Sequence, residues 1–540
     1  AAVARGTAAV FVDPHEIANV AGVSGVRYFL DQADALPIEL FVGVPSCVPA
    51  THLENAGGTL GLDEITALLA DPRVYGLAEM MNFPGIIHGL GDARAKVDAA
   101  LDAGKLVDGH APGVTGSDLD AYLSNGRNDG VVRIGSDHEC SNQDEAVEKH
   151  TKGMTIAIRC GTASKDIDRI LPGLYQRMGG NLDRFMLCSD DVSACELLTE
   201  GHVDRIVRRA RDIFLADGLP PERAALEAVR LATLNVARYY KSFLTTRGLD
   251  RAGTLAPGAP ATFLVLDSLE SLHVRHVYRN GEKLPPAALE SERPPEGENP
   301  IEGKRPLAGE NPIEGERPRE PLPSPPELRS SVKLPTPPSV ADFAISAPAN
   351  AGGTIDARVI GVQGNSLLTD DLTVRLPVTN GQISADPARD IAKIAVFERH
   401  GGPGTHAVGL VQGLGLRAGA VASTVAHDSH NLVLAGVNNE DLVAAANALV
   451  ESGGGLAVSV GGHVETLPLP IGGLMSDERI HSVADKLQTL VANAAERTGS
   501  HLENPFMALS FLSLPVIPAL KITDRGLVDV TRFEVTPLFQ

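Results

Sequence analysis

The chain has 540 residues, 43% of them hydrophobic, enough to fill two or three domain cores and too many for a disordered protein. Its 68 acidic against 47 basic side chains leave a formal net charge of −21, which argues against nucleic acid or an anionic membrane as partner and leaves a small molecule as the default substrate. With 4% aromatic residues, no Trp and 55 Gly, the composition suits a packed α/β protein better than an aromatic binding platform.

The opening AAVARGTAAVFVDP enters a strand within a few residues, so the chain reads as starting inside a domain. From there, seven β-rich runs alternate with helical patterns: 7–14, 39–46, 74–80, 105–111, 131–139, 155–161 and 184–191. Between them, DEITALLADP (63–72), DARAKVDAALDAG (92–104) and SNQDEAVEKHTKG (141–153) carry apolar residues at helical spacing, with Asp or Ser near their starts as caps. This is a βαβ series, and no GxGxxG follows the first run to favour a dinucleotide-binding sheet. An eighth strand upstream would close a TIM-type (β/α)8 barrel, so the fold expected over 1–245 is such a barrel lacking its first strand.

Residues 220–245 read as one long helix, and 246–283 as strands of a small β-domain. Over 284–340 the composition turns to Pro, Glu, Arg and Gly with GENPIEG repeated at 297–303 and 309–315, the pattern of a disordered insertion in a linker. A C-terminal α+β domain is expected over 341–540, where IAKIAVFER, GAVASTVA, NLVLAGV and GLAVSVGG alternate with Gly-rich turns and the helical EDLVAAANALVESG. Cys47, Cys140, Cys160, Cys188 and Cys195 lack CxxC spacing, which fits a reducing cytoplasm. No apolar run reaches the ~18 residues of a membrane span, and the N-terminus lacks a secretory pattern.

In a barrel of this type the C-terminal strand ends form the active-site face. Aligning those ends gives His15 and Glu16, Glu79, His110, His138 and the pair Asp190 and Asp191. Imidazoles and carboxylates recurring at one register form a ligand set for Mn²⁺, Fe²⁺ or Zn²⁺, with carboxylates able to bridge two ions. Glu79, flanked by Ala, Met and Leu, would be costly to bury without a cation. Asp191 can instead cap the helix starting near Ser193, and His15 and Glu16 can be structural, orient a substrate or hold an extra ion. In AHDSHN, His427, Asp428 and His430 are either a polar turn or side chains lent to the mouth by the second domain. Cys188 has no evident base beside it and reads as a packed thiol.

These residues carry a resemblance. DPHEIANVAG (13–22), PSCVPAT (45–51), GLAEMMNFPG (76–85), DGHAPG (108–113), SDHEC (136–140) and CSDD (188–191), with STVAHDSHN (423–431), LPLPIGGLMSD (467–477) and PFMALSFLSLPVIPALKITDRGLVDV (505–530), are similar to the bacterial adenine deaminases of the amidohydrolase superfamily. The resemblance implies hydrolysis of adenine to hypoxanthine and ammonia with binuclear Mn²⁺ or Fe²⁺, no nucleic-acid or membrane partner, a cytoplasmic enzyme and a homodimer. It implies that Glu79 bridges the metals, that His110 and His138 bind the second metal, and that Asp190 touches the first and shuttles a proton; Glu139, next to His138, is a separate candidate for a supporting partner. The superfamily's His-x-His pair is absent from these 540 residues, which leaves a related cyclic-amide hydrolase or a non-catalytic relative as the alternatives.

Overall fold

The computed structural model describes residues 1–162, 164–284, 323–329, 331–364 and 366–539. Seven parallel strands stand where the β-rich runs predict them: β1 (Ala9–Val12), β2 (Glu39–Val44), β3 (Val74–Met80), β4 (Leu106–Gly109), β5 (Ser136–Asp137), β6 (Thr155–Arg159) and β7 (Phe185–Cys188). They form two hydrogen-bonded walls, β1 to β4 and β5 to β7. The seam between the walls is closed by Gly135 N–H donating to the Val107 carbonyl at 2.9 Å and by Ala111 N–H donating to Asp137 Oδ1 at 2.8 Å. Helices such as Leu62–Leu69, Ala93–Asp102 and Gln143–Thr151 fill the crossovers, and the strands are apolar nearly throughout because a parallel sheet is covered on both faces.

Two elements differ from expectation. The fifth strand shrinks to two residues because Arg133 and Ile134 donate their backbone N–H groups to Leu123 at the preceding helix end, while the Arg133 guanidinium clamps Asp129 at 2.7 Å and 2.8 Å. The long helix over 220–245 breaks into Pro221–Ala232, Leu234–Tyr239 and Lys241–Thr246. The first break, at Thr233, lets Asn235 reach the carbonyls of Leu182 and Phe185. The second turns Tyr239 and Tyr240 under the barrel, where both hydroxyls donate to Asp108 and Tyr240 stacks on Phe11.

A small antiparallel sheet follows, β8 (Phe263–Leu266), β9 (Val274–Arg279) and β10 (Glu282–Lys283). Gly6, at φ +92°, lies so close to Val274 that a Cβ there would meet the valine at 2.8 Å. The Pro-rich repeats lie outside the described residues.

The C-terminal region is α+β. A ribbon of β11 (Ile345–Ser346) and β14 (Gln382–Ile383) flanks an eight-stranded sheet of β12 (Thr354–Val362), β13 (Thr369–Pro377), β15 (Ile391–Phe397), β16 (His406–Gln412), β17 (Ala420–Ser423), β18 (Leu432–Gly436), β19 (Gly455–Val460) and β20 (His463–Pro468). Its order is β13-β12-β16-β15-β18-β17-β19-β20, antiparallel except where β12 meets β16. The period of two places Ala420, Ala422, Leu432 and Leu434 against helix Asn439–Glu451. The alternate Val421, Val433 and Ala435 face Leu490 and Ala494 of helix Ile480–Thr498. A last hairpin sheet, β21 (Leu520–Thr523), β22 (Gly526–Asp529) and β23 (Glu534–Thr536), carries the groups that dock onto the barrel. Asp524 accepts from Asn55 N at 2.9 Å and from Asn55 Nδ2 at 2.6 Å, and Thr523 Oγ1 donates to the Leu53 carbonyl at 2.6 Å. The loop after β2 is thereby tied to the C-terminal domain on the same side as the barrel mouth. No helix among the described residues is long and apolar enough to cross a membrane.

Candidate metal centre

The strand-end residues singled out above come together in two adjoining clusters, with Asp191 at an exposed edge 3.9 Å from His427 Nε2. In the first, Glu79 near the end of β3 meets His110 after β4 and His138 after β5. Glu79 Oε2 stands 3.3 Å from His110 Nδ1 and 3.4 Å from His138 Nε2, and the two rings meet edge to face at 5.4 Å. One ligand atom from each lies within 4.8 Å of the other two.

A buried network fixes this geometry from behind. Lys149, wholly buried on helix Gln143–Thr151, donates to the Ala111 carbonyl at 2.6 Å, to Asp137 Oδ2 at 2.9 Å and to Glu145 Oε1 at 2.7 Å. Glu145 in turn accepts from Gly113 N and Ser141 N. Ala111 and Gly113 follow His110, and Asp137 and Ser141 flank His138, so one ammonium and two carboxylates hold both imidazole-bearing loops. Burial would raise the Asp137 carboxyl, but Lys149 and His138 overcome it and hold the group below the usual range. Tyr122 adds a brace, its hydroxyl accepting from His110 N at 2.9 Å and donating to the Met80 carbonyl at 2.8 Å.

Asp190 stands beside this triad. Its backbone is left-handed at φ +56°, stabilised by its own Oδ1 accepting from Asp191 N at 2.8 Å. Its Oδ2 accepts from Arg159 at 2.8 Å, and the same guanidinium grips Glu139 in a two-pronged pair. Burial would raise the Asp190 carboxyl; His138 and Arg159 instead hold it below its ordinary value. Glu139 lies 3.6 Å from His138 Nε2 and 4.0 Å from His110 Nδ1, so it orients Arg159 and adds negative charge beside both rings.

The second cluster spans the two domains. Glu16 Oε1 is 3.2 Å from His15 Nε2 and 2.7 Å from His427 Nδ1, while Glu16 Oε2 is bonded to His430 Nε2. Asp428 joins His15 and Glu16 in a further triad. The C-terminal domain thus delivers His427, Asp428 and His430 to the mouth. Asp191 does not cap the next helix; Ser193 does, its hydroxyl accepting from Glu196 N.

Two functional residues escaped the sequence reading. Asp13 lies one register step before His15 and forms a ligand triad with His15 and Glu79; an Asp before Pro looks like a turn former, which masked it. Arg159 ends β6 at the shared register, but as a cation it has no place in a metal-ligand pattern.

The electrostatics of both clusters favour added positive charge. Burial alone would strip protons from the imidazoles, yet Glu79, Glu139 and Asp190 push His138 up to about 10, and Glu16 with Asp191 and Asp428 does the same to His427. Asp13 is pushed by burial up to about 6 despite His15, and neither of its oxygens has a hydrogen-bond partner; His110 Nδ1 is likewise buried and unpartnered. Orphaned nitrogen and carboxylate oxygen atoms converging on common points are the donor set of a divalent first-row cation, so the residues fit a metal. Burial pushes the half-buried Cys188 thiol well above its ordinary value, which disfavours the thiolate form.

The parallel barrel walls carry imidazole and carboxylate groups at their C-terminal mouth, and the Amidohydrolase family matches residues 1–284. The Adenine deaminase C-terminal domain matches residues 366–534. Curated relatives include the adenine deaminase of Desulfatibacillum aliphaticivorans, 42% identical over 537 residues that cover 99% of this chain and 84% of the relative. That of Methanothrix thermoacetophila is 39% identical over 544 residues, covering 100% and 84%. The chain belongs to the adenine deaminase family. Among solved structures, N-acetyl-D-glucosamine-6-phosphate deacetylase from Mycobacterium smegmatis is 20% identical, with a TM-score of 0.35 over 51% of this chain and 74% of the other.

Proposed function

We propose that this chain hydrolyses adenine to hypoxanthine and ammonia with divalent cations, Mn²⁺ or Fe²⁺, held as a pair about Glu79. The observation that carries the reading is that the Glu79 carboxylate meets both the His110 and His138 pair and the buried, unpartnered carboxylate of Asp13. A carboxylate placed this way can be shared by two ions. The names of the relatives supply the substrate. When bound, such cations supply Lewis acidity that lets water act as a nucleophile near neutral pH.

The chain's own residues do the rest. Asp190, kept ionised by Arg159, accepts a proton from water as its oxygen adds to C6 of the purine. Asp190 passes that proton to N1, then takes the remaining proton from the new C6 hydroxyl and delivers it to the exocyclic amine, so that the C6 carbonyl forms as the C–N bond breaks and ammonia leaves. Glu139 keeps Arg159 turned toward Asp190, and the domain joined across Glu16 covers part of the mouth and limits its exposure to water. Free cysteines support a reducing, cytoplasmic setting, and a homodimer rests on the family resemblance, with sedimentation velocity as its test.

The assay is direct. The 540-residue chain, stripped with chelator and reloaded with Mn²⁺, is expected to convert adenine into equimolar hypoxanthine and ammonia, and the stripped form is expected to be inactive. Hydrolysis of a cyclic amide with no ammonia from adenine would overturn the substrate, and undiminished activity after complete stripping would overturn the metal.

A further inference from the structure

The Glu16 cluster is not needed to explain Glu79 and its histidines, yet it is built with the same care. We propose that the junction between barrel and C-terminal domain is a separate divalent-cation site with four donors: His15 Nε2, Glu16 Oε1, His427 Nδ1 and a carboxylate oxygen of Asp428.

Three of the four donors have a group on their far side. Ala426 N–H donates to His430 Nδ1 at 3.1 Å, so that nitrogen is an acceptor and the ring proton sits on Nε2, where it is donated to Glu16 Oε2. That occupies one oxygen of Glu16 and leaves Oε1 facing both His15 Nε2 and His427 Nδ1. The far nitrogen of His15 faces Asp13 Oδ2 at 3.4 Å, and that of His427 faces Asp191 Oδ2 at 3.9 Å. A carboxylate near the outer nitrogen favours a proton there once a cation takes the inner lone pair, the arrangement that supports metal-binding imidazoles. The His427 ring is further fixed by stacking on Phe511, with centroids 4.5 Å apart and planes within 10°.

Asp428 supplies the independent observation. It is 5% exposed and its Oδ2 has no hydrogen-bond partner. Its Oδ1 is 4.0 Å from His427 Nδ1, and it meets His15 and Glu16 within 4.8 Å. A buried, half-unpaired carboxylate costs several kcal/mol unless a cation or proton compensates it. Two imidazole nitrogens and two carboxylate oxygens from both domains suit a first-row divalent ion and would make its binding a clasp between the domains.

The test counts Mn²⁺ in the full 540-residue chain by mass spectrometry after loading and desalting, beside thermal melting. Asp428→Asn and His427→Gln are each expected to lose one equivalent relative to wild type, with circular dichroism confirming that at least one of them folds. Glu79→Gln is expected to keep the junction ion, so Mn²⁺ should still raise its Tm, and adding Asp428→Asn should abolish that rise. A full count in both junction variants overturns the proposal, as does loss of every ion in Glu79→Gln. A count that falls with Asp428→Asn but is untouched by Glu79→Gln would uphold the junction site while refuting the centre proposed for catalysis.

Discussion

Replacing Lys149 by methionine keeps the stem packed and removes only the charge. The ammonium is wholly buried and its three acceptors, the Ala111 carbonyl, Asp137 and Glu145, are buried as well. Removing one member of a buried ion pair leaves an uncompensated charge, a loss of about 3–5 kcal/mol. The orphaned Ala111 carbonyl belongs to the same network, so its cost is contained in that figure and is not added to it. The sign of the pH dependence follows from Asp137, whose carboxyl is held below its ordinary 3.8 in the folded chain. A depressed carboxyl contributes stability that is present above the unfolded value and lost as pH falls through the folded one. Without Lys149, burial drives the Asp137 pKa upward, and protonation in mild acid relieves the penalty. The gap between Lys149→Met and wild type in urea denaturation should therefore be widest near pH 7–8 and narrow toward pH 5. Because the network clamps the loops of His110 and His138, Mn²⁺ affinity should also fall about 10–100-fold. A stability loss below about 1 kcal/mol, or one independent of pH, would refute the reasoning.

Asp190→Asn should lower kcat by about 10²–10⁴-fold while Mn²⁺ content stays near that of wild type, since the proton carrier is removed and the Glu79 triad is not; an unchanged kcat would exclude Asp190 as that carrier. Tyr122→Phe should cost about 1–3 kcal/mol in thermal or urea unfolding, because His110 N–H and the Met80 carbonyl both lose their partner. Among the described residues Lys521 bonds to the carbonyls of Leu367 and Phe511, and burial pushes its ammonium from 10.5 down to about 7. The unfolded chain therefore binds more protons between those values, so this residue makes stability rise with pH over that window. Lys521→Met should flatten the rise, and identical pH profiles of Tm in the two proteins would contradict it.

Much of this molecule is legible in its residues. The seven strand ends follow from apolar spacing, whereas β17 and β18 are apolar on both faces, so parity separates their two sets of side chains without showing which helix each set meets. The triad of Glu79, His110 and His138 is visible because a shared register in a parallel barrel puts side chains from distant segments at one rim. The breaks after Ala232 and Tyr239 are not visible, since the pull that bends the helix comes from Asp108 and the carbonyls of Leu182 and Phe185. Nor is the Lys149 network, whose members look like a solvated helix face until the loops fold over them. The pairing of Glu16 with His427 and His430 joins residues more than 400 positions apart. Proximity in AHDSHN hints at chemistry, but only tertiary docking shows which acid those rings meet.

Anomalous diffraction from crystals of the Mn²⁺-loaded chain tests the central claim most directly. The account predicts a manganese peak enclosed by the Glu79 carboxylate and the rings of His110 and His138. Manganese bound only elsewhere, with those three side chains left paired to one another, would contradict it.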